Sequence, residues 1–367
     1  MRDCGVPRKA PAHGSGSRRT KREQPISLKK LAEHLGLSPA TVSLVINHSP
    51  VADSIPQETK DRVFSAARQF NYRPNFFARS LRTQRSFTIG VMVPEVSEGY
   101  AAMVMSGIED HLLNEGYFYF VASHRHRADL IQEYPQMFLG RSVDGLIAVD
   151  TPWRQSVPVP VVTVSGHNEV KGVTNVVLDH VQAAELALQH LVQLGHRHIA
   201  FMKGQTFSSD TEIRWNSIVK VAGQLGIQIN PKLVVQLEGD SPSPDLGYYV
   251  TKKLICTHEP FTALFAFNDI SAIGAIRALR EFELQVPRDI SVVGFDDIQG
   301  AAYQNPGLTT VRQPLKKMGK IAAETLLQRI QKRSAEPELK VVVEPQLIVR
   351  ETTAPPCTTP TRRANKN

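Results

Sequence analysis

The run His124-Arg125-His126-Arg127 holds the densest set of polar ring and guanidinium groups in the chain, of types that bind a metal ion or a phosphate. Metal ligation needs side chains that converge, whereas positions i and i+2 face apart on a helix, and no acidic or cysteine residue is immediately adjacent. A solvated loop is therefore expected there. Asp296-Asp297 invites a general acid and base, but consecutive residues rarely converge on one bond, and no Ser/His/Asp or Cys/His set has recognisable spacing. The phosphate-cradling patterns GxGxxG and GxxxxGK[ST] are absent. Cys4, Cys256 and Cys357 are odd in number and lack metal-ligand spacing, so they indicate neither a disulfide framework nor a zinc site and fit a reducing compartment. No catalytic residue, metal or cofactor is expected.

A different chemistry sits near the start. Ser38-Pro39 supplies a helix N-cap followed by proline at the first helical position, and the helix so begun runs to about Asn47. Thr41 and Ser43 on it can donate to phosphate oxygens, contacts that position a protein on DNA without reading sequence. The elements that must hold this helix are legible on either side. Leu28, Leu31, Ala32 and Leu35 recur at helical spacing until Gly36, and Val63, Ala67 and Phe70 mark one face of a third helix over roughly 57–70, stopped before Pro74. Three short helices in about 45 residues make a helix-turn-helix.

Charge agrees with a polyanion partner. Of the net +8, residues 1–86 carry +10 and the tail from Glu351 carries +2, leaving −4 on 87–350. Lys and Arg that displace condensed counterions supply most of the affinity for phosphate backbones. The Gly/Pro/Ser/Arg-rich residues 1–25 read as a disordered basic arm, and the Thr/Pro-rich 351–367 as a disordered tail. No apolar run approaches the roughly 20 residues that span a bilayer, and no signal-peptide pattern opens the chain, so a cytoplasmic, nucleoid-associated protein is expected.

From Phe87 the texture changes to β-branched runs alternating with helical patterns, the mark of parallel α/β architecture. Strands are predicted at 88–93, 118–122, 146–149, 159–164, 199–202, 233–237, 263–266 and 291–294, and helices at 101–114, 183–194, 270–282 and 315–330. That is too many strands for one ordinary doubly wound sheet, so two lobes are expected, with a ligand between them outside the carboxyl ends of strands.

An ordered series of segments carries a family likeness. These are Leu31-Ala32-Glu33-His34-Leu35-Gly36-Leu37-Ser38-Pro39-Ala40-Thr41-Val42-Ser43, Asn71-Tyr72-Arg73-Pro74-Asn75, Leu194-Gly195-His196-Arg197-His198-Ile199-Ala200, Asn268-Asp269, Ile290 to Asp297, and Leu308-Thr309-Thr310-Val311. From Ile26 to about Arg350 the chain resembles the lactose-repressor (LacI/GalR) family. The resemblance implies a helix-turn-helix head over 26–74, a hinge helix and linker over 75–86, and a two-lobed periplasmic-binding-protein-like sensor and dimerisation domain over 87–350.

It further implies that the helix from Pro39 enters the major groove, with Ser38, Pro39, Ala40, Thr41, Ser43, Leu44 and Asn47 at the DNA. The positions facing base edges are the apolar Pro39, Ala40 and Leu44, so direct readout would rest on contacts such as thymine methyls; Leu44 has the alternative of a place in the three-helix core. Asn75, Ala78 and Leu81 fall at the hinge, where Leu81 either wedges the minor groove or packs under the first sensor strand. In the sensor the resemblance maps Arg214, Asn268 and Asp296 into the cleft, a trio suited to a polyhydroxylated effector, sugar or nucleoside. Asn268 and Asp296 have the alternative of helix cap and strand-end hydrogen-bonder. Where several relatives place a stacking aromatic, this chain has Ser241; Trp153 either replaces it from the other lobe or packs in the core.

The implied partners are near-palindromic operator DNA, a sugar-like effector and a second copy of the chain, as homodimer or tetramer, with no membrane. Two competing readings are a periplasmic binding protein and a sugar-modifying α/β enzyme. The helix-turn-helix and missing signal peptide oppose the first, and the lack of nucleophile, metal set or phosphate loop opposes the second.

Overall fold

The computed structural model describes residues 26–47, 49–72, 85–97, 99–239, 243–331 and 338–357. The chain forms two compact units that divide between Gln84 and Arg85.

In the first unit, Ser27 caps α1 (Leu28–Leu35) and Gly36 ends it at φ 65°, a left-handed conformation that glycine adopts without strain. Ser38 then starts α2 (Pro39–Ile46), a 3-10 turn (Pro50–Ser54) follows, and α3 (Gln57–Gln69) completes the head. Leu31, Ala32, Val42, Val45, Val63 and Ala66 form its core, with Ile46, Ile55, Phe70 and Tyr72 packed around them. The expected basic arm over 1–25 and the hinge over 75–84 lie outside the described residues.

The second unit contains two six-stranded sheets. Its strands are β1 (Thr88–Val93), β2 (Phe118–Ser123), β3 (Gly145–Val149), β4 (Val161–Val164), β5 (Val173–Leu178), β6 (Ile199–Lys203), β7 (Val234–Gln236), β8 (Ala263–Phe265), β9 (Ser291–Asp296), β10 (Thr309–Arg312), β11 (Lys340–Val343) and β12 (Gln346–Ile348). The first sheet runs β11-β5-β4-β3-β1-β2, the second β12-β10-β9-β8-β6-β7. Every pairing is parallel except β10 with β12. Helices α4 (Gly99–Asn114), α5 (Ala128–Leu139) and α11 (Leu315–Gln331) pack on the first sheet. The second carries α6 (His180–Gln193), α7 (Asp210–Gln224), α8 (Pro244–Cys256), α9 (Asp269–Glu281) and the short α10 (Gln299–Tyr303).

Most of the apolar runs that suggested strands are buried on both faces, as parallel sheets covered by helices require: all residues of β1, β3 and β9 are buried, whereas the edge strand β2 is largely exposed. The lobes are joined where β5 passes to α6, β10 to α11 and β11 to β12. Closeness of α4 to α11 depends on glycine. A Cβ at Gly107 would stand 1.9 Å from the Lys316 carbonyl oxygen, and one at Gly319 would stand 2.0 Å from that of Val104.

One expectation fails at the carboxyl end. Residues 351–357 are ordered against the second sheet: Val292 donates to the Thr352 carbonyl at 2.8 Å, Thr352 Oγ1 donates to the Val292 carbonyl at 2.7 Å, and Ala354 donates to Ser291 Oγ at 3.0 Å. Thr352 is fully buried. Threonine hydroxyls and free backbone groups satisfy the start of β9, a role that Thr/Pro-rich composition conceals. The buried His196 of the Leu194–Ala200 motif joins this lock, with Nδ1 at 2.9 Å from Thr262 Oγ1 and Nε2 at 2.9 Å from the Ala354 carbonyl.

Candidate DNA-binding surface and effector cleft

On α2, Val42 and Val45 turn into the core, which leaves Ala40, Thr41 and Leu44 on the outer stripe at i, i+1 and i+4. Pro39 and Ala40 are exposed, Thr41 and Leu44 half-buried, and Leu44 is outside the three-helix core. The core alternative for Leu44 is thereby disfavoured. Ser38 is committed to the cap, its Oγ accepting from the Thr41 amide at 3.0 Å and meeting Thr41 Oγ1 at 2.9 Å. Ser43 is not the open phosphate donor expected. It is buried on the inner side of the stripe, where the Asn47 side-chain amide donates to its carbonyl at 2.7 Å and to its hydroxyl at 3.2 Å. Asn47 is half-buried and holds the end of the helix. Asn75, Ala78 and Leu81 lie outside the described residues.

In the second unit, the loops at the carboxyl ends of the strands of both sheets enclose a cleft, as the topology predicts. Arg214, Asn268 and Asp296 all line it. Arg214, on α7, is 4% exposed, with its guanidinium carbon 3.7 Å from the centroid of the Phe295 ring and 4.4 Å from that of Phe267. Its Nη1 donates to the Phe267 carbonyl at 2.5 Å and its Nη2 to Asp210 Oδ2 at 2.8 Å. The guanidinium is thus oriented from three sides. Asp296 ends β9 at φ 108° and accepts from Gln313 Nε2 at 2.7 Å. Burial holds its carboxyl well above the usual carboxylate range, opposed in part by Arg214. Its Oδ1 is engaged by Gln313, and the residue lines the cleft. Asn268 combines its two alternatives. Its Oδ1 caps α9 by accepting from the Ser271 amide at 2.9 Å, in a capping box, while the residue also lines the cleft.

Trp153 has no place in this cleft. It is 3% exposed within the core beside Leu146, Ala148 and Val161, and its Nε1 donates to the Gln155 carbonyl at 2.8 Å. An indole with its one donor satisfied inside a core has nothing left for a ligand. The aromatic groups lining the cleft are Tyr100, Phe267, His126 and Phe207, the last two with ring centroids 3.9 Å apart across the lobes. The loop at His124–Arg127 is therefore not simply solvated. His124 is fully buried, with Nε2 at 2.9 Å from Thr151 Oγ1 and Nδ1 accepting from the His126 amide at 3.1 Å, and burial lowers its pKa to about 4.

Sequence reasoning missed the groups that join the lobes. Ser209 Oγ donates to Asp150 Oδ1 at 2.7 Å and also to the Ser165 carbonyl. Nε2 of His167 meets Asp210 Oδ1 at 2.5 Å, and within the first lobe Tyr100 donates to Ser165 Oγ at 3.0 Å. Burial alone would raise the Asp210 carboxyl, but His180, His167 and Arg214 together hold it well below the usual range. The signal available was Asp210 four residues before Arg214, an ion-pair spacing that has meaning only on a helix.

A three-helix head with a capped, outward-facing second helix, and a separate two-lobed unit with a polar cleft, define an effector-responsive DNA-binding regulator. Comparison with known proteins agrees. A sequence profile described as bacterial regulatory proteins, lacI family, matches residues 27–75, and one for a periplasmic binding protein-like domain matches 188–353. The HTH-type transcriptional repressor PurR of Haemophilus influenzae is 31% identical over 335 residues, covering 88% of this chain and 97% of the relative. That of Pasteurella multocida is 30% identical with the same coverage. Among solved structures, the lac repressor dimer bound to operator and the anti-inducer ONPF matches with a TM-score of 0.78 at 26% identity, covering 90% of this chain and all of that one. The complex of the transcriptional regulator CelR with cellobiose matches at 0.66 and 28%, covering 89% and 99%. The chain belongs to the LacI family and is a DNA-binding transcriptional repressor, not an enzyme. No helix among the described residues is long and apolar enough to cross a membrane.

Proposed function

We propose that this repressor acts in the cytoplasm as a homodimer on near-palindromic operator DNA and is controlled by a sugar or sugar derivative bound between its lobes. The observation that carries the effector reading is the cleft's polar set: an aromatic-clamped Arg214, the Asn268 amide and the buried Asp296 carboxyl line one cavity. Adjacent hydroxyls on a ring match such alternating donors and acceptors. Solved relatives support the class, since similar structures hold cellobiose and, in a LacI family regulator from Enterococcus faecium 27% identical to this chain, ribose. A nucleoside is the second reading, favoured by the His126 and Phe207 rings at the same cavity, which offer a base a stacking face. Dimeric assembly is supported by the likeness to the lac repressor dimer, and Pro39, Ala40 and Leu44 would read bases through apolar contacts.

A thermal-shift screen of monosaccharides, disaccharides and nucleosides tests the effector class. A ligand at 100 times its Kd adds about 2.7 kcal/mol of stability. A gain confined to one class, and absent in Asp296→Ala, identifies the effector class and its site. Gains from neither class refute the polyhydroxylated reading.

A further inference from the structure

We infer that His167, His180 and Asp210 form a site for a divalent transition-metal ion that bridges the two lobes, independent of the effector's identity. One nitrogen of each imidazole and one carboxylate oxygen all lie within 4.8 Å of one another. The ligands come from three segments: His167 follows β4 in the first lobe, His180 opens α6 at a crossover between lobes, and Asp210 opens α7 in the second lobe. An ion there ties both lobes and a crossover together.

The second observation is His180 itself. The residue is 4% exposed, yet neither of its ring nitrogens has a hydrogen-bond partner, and Nε2 stands 3.5 Å from Asp210 Oδ1. A simple latch between His167 and Asp210 accounts for those two residues and leaves His180 unexplained, since a buried imidazole with two unsatisfied nitrogens is costly. A metal ion at Nε2 engages all three residues and satisfies one of the two His180 nitrogens. Arg214 occupies the other carboxylate oxygen, Oδ2, and leaves Oδ1 facing the imidazoles. The Asp150 carboxylate, held by Ser209, lines the cleft beside Asp210.

The donor set selects the ion. Two imidazoles and one carboxylate suit zinc and its neighbours in the first transition row, whereas calcium and magnesium take oxygen ligands. Zinc bonds of about 2.0–2.2 Å in tetrahedral geometry place ligand atoms roughly 3.3 Å apart. The His180 to Asp210 separation already matches, and His167 needs to retreat by less than about 1 Å from its 2.5 Å contact.

The test uses the full chain, stripped with a chelator and dialysed, without effector. Zinc is titrated calorimetrically, cobalt is added as a spectroscopic probe, and wild type is compared with His167→Ala and His180→Ala. The expected result is one zinc per chain with micromolar or tighter Kd, a visible four-coordinate cobalt spectrum and a raised Tm. His167→Ala should weaken binding at least tenfold and abolish the cobalt band. His167 carries the decision because its side chain, 12% exposed, is at the rim and its loss leaves the core intact. No saturable uptake by wild type, or equal affinity in His167→Ala, overturns the inference. Neither result touches the effector assignment, which the sugar and nucleoside screen reads separately.

Discussion

Replacing Arg214 by methionine removes a charge while keeping an unbranched apolar chain between the rings of Phe267 and Phe295. The loss has two parts. Asp210, equally buried, is left without its guanidinium partner, and breaking one side of a buried pair costs about 3–5 kcal/mol. The stacking over two rings is lost as well, worth about 0.5–2 kcal/mol when desolvated. Against this, His167 keeps its hydrogen bond to Asp210 Oδ1 and stabilises part of the stranded charge, so we expect a net loss near the lower bound, about 3 kcal/mol. For a unit of this size that lowers Tm by roughly 6–12 °C. Both tryptophans, Trp153 and Trp215, belong to the second unit, so intrinsic fluorescence follows its unfolding without interference from the helical head. Adding Asp210→Asn to Arg214→Met removes the stranded charge and should restore most of the loss, giving a coupling of at least about 1 kcal/mol. The single variant should also lose the stabilisation that the effector confers. A Tm within 2 °C of wild type (less than about 1 kcal/mol), or strictly additive losses in the double variant, would refute the ion-pair reasoning.

Two further outcomes follow from single hydrogen-bonded groups. Ser38→Ala removes the acceptor for the Thr41 amide and should cost α2 about 1 kcal/mol, read as a roughly fivefold faster hydrogen exchange at amides 42–45; unchanged exchange would show that the cap is dispensable. His124, with its pKa lowered to about 4, is neutral in the fold, so its contribution is present above the unfolded value near 6.5 and is lost as pH falls from 6.5 through 4. The loss should approach 3 kcal/mol at the acid end, and an NMR titration placing the ring near 6.5 would contradict it.

Residues whose pattern is local were readable in advance, and residues whose role depends on meeting a distant segment were not. Ser38-Pro39 and Gly36 announce helix ends because capping acts within four residues, and the three helices of the head appear where they are predicted. The β-branched runs of the sensor likewise become strands, but Val173–Leu178, Thr309–Arg312, Lys340–Val343 and Gln346–Ile348 escaped notice. Two of these last strands are sheet edges, and β11 and β12 are too short and too exposed to announce themselves by hydropathy. Family likeness located Arg214, Asn268 and Asp296 at the cleft, yet it could not foresee Asp210, because helix 210–224 has no clear apolar stripe and the pairing with Arg214 exists only once that helix forms. The same reason hides His167 and His180. They are 13 residues apart, one after a strand and one before a helix, and what unites them is closure of two lobes on a carboxylate 43 residues beyond the first. Trp153 shows the opposite error: a large aromatic beside a strand end invites a ligand, but an indole whose nitrogen finds a carbonyl two residues on gains more from the core than from a cleft. The contacts between lobes in this chain are thus made by residues far apart in sequence, so local pattern names the scaffold while the interlobe contacts emerge only in three dimensions.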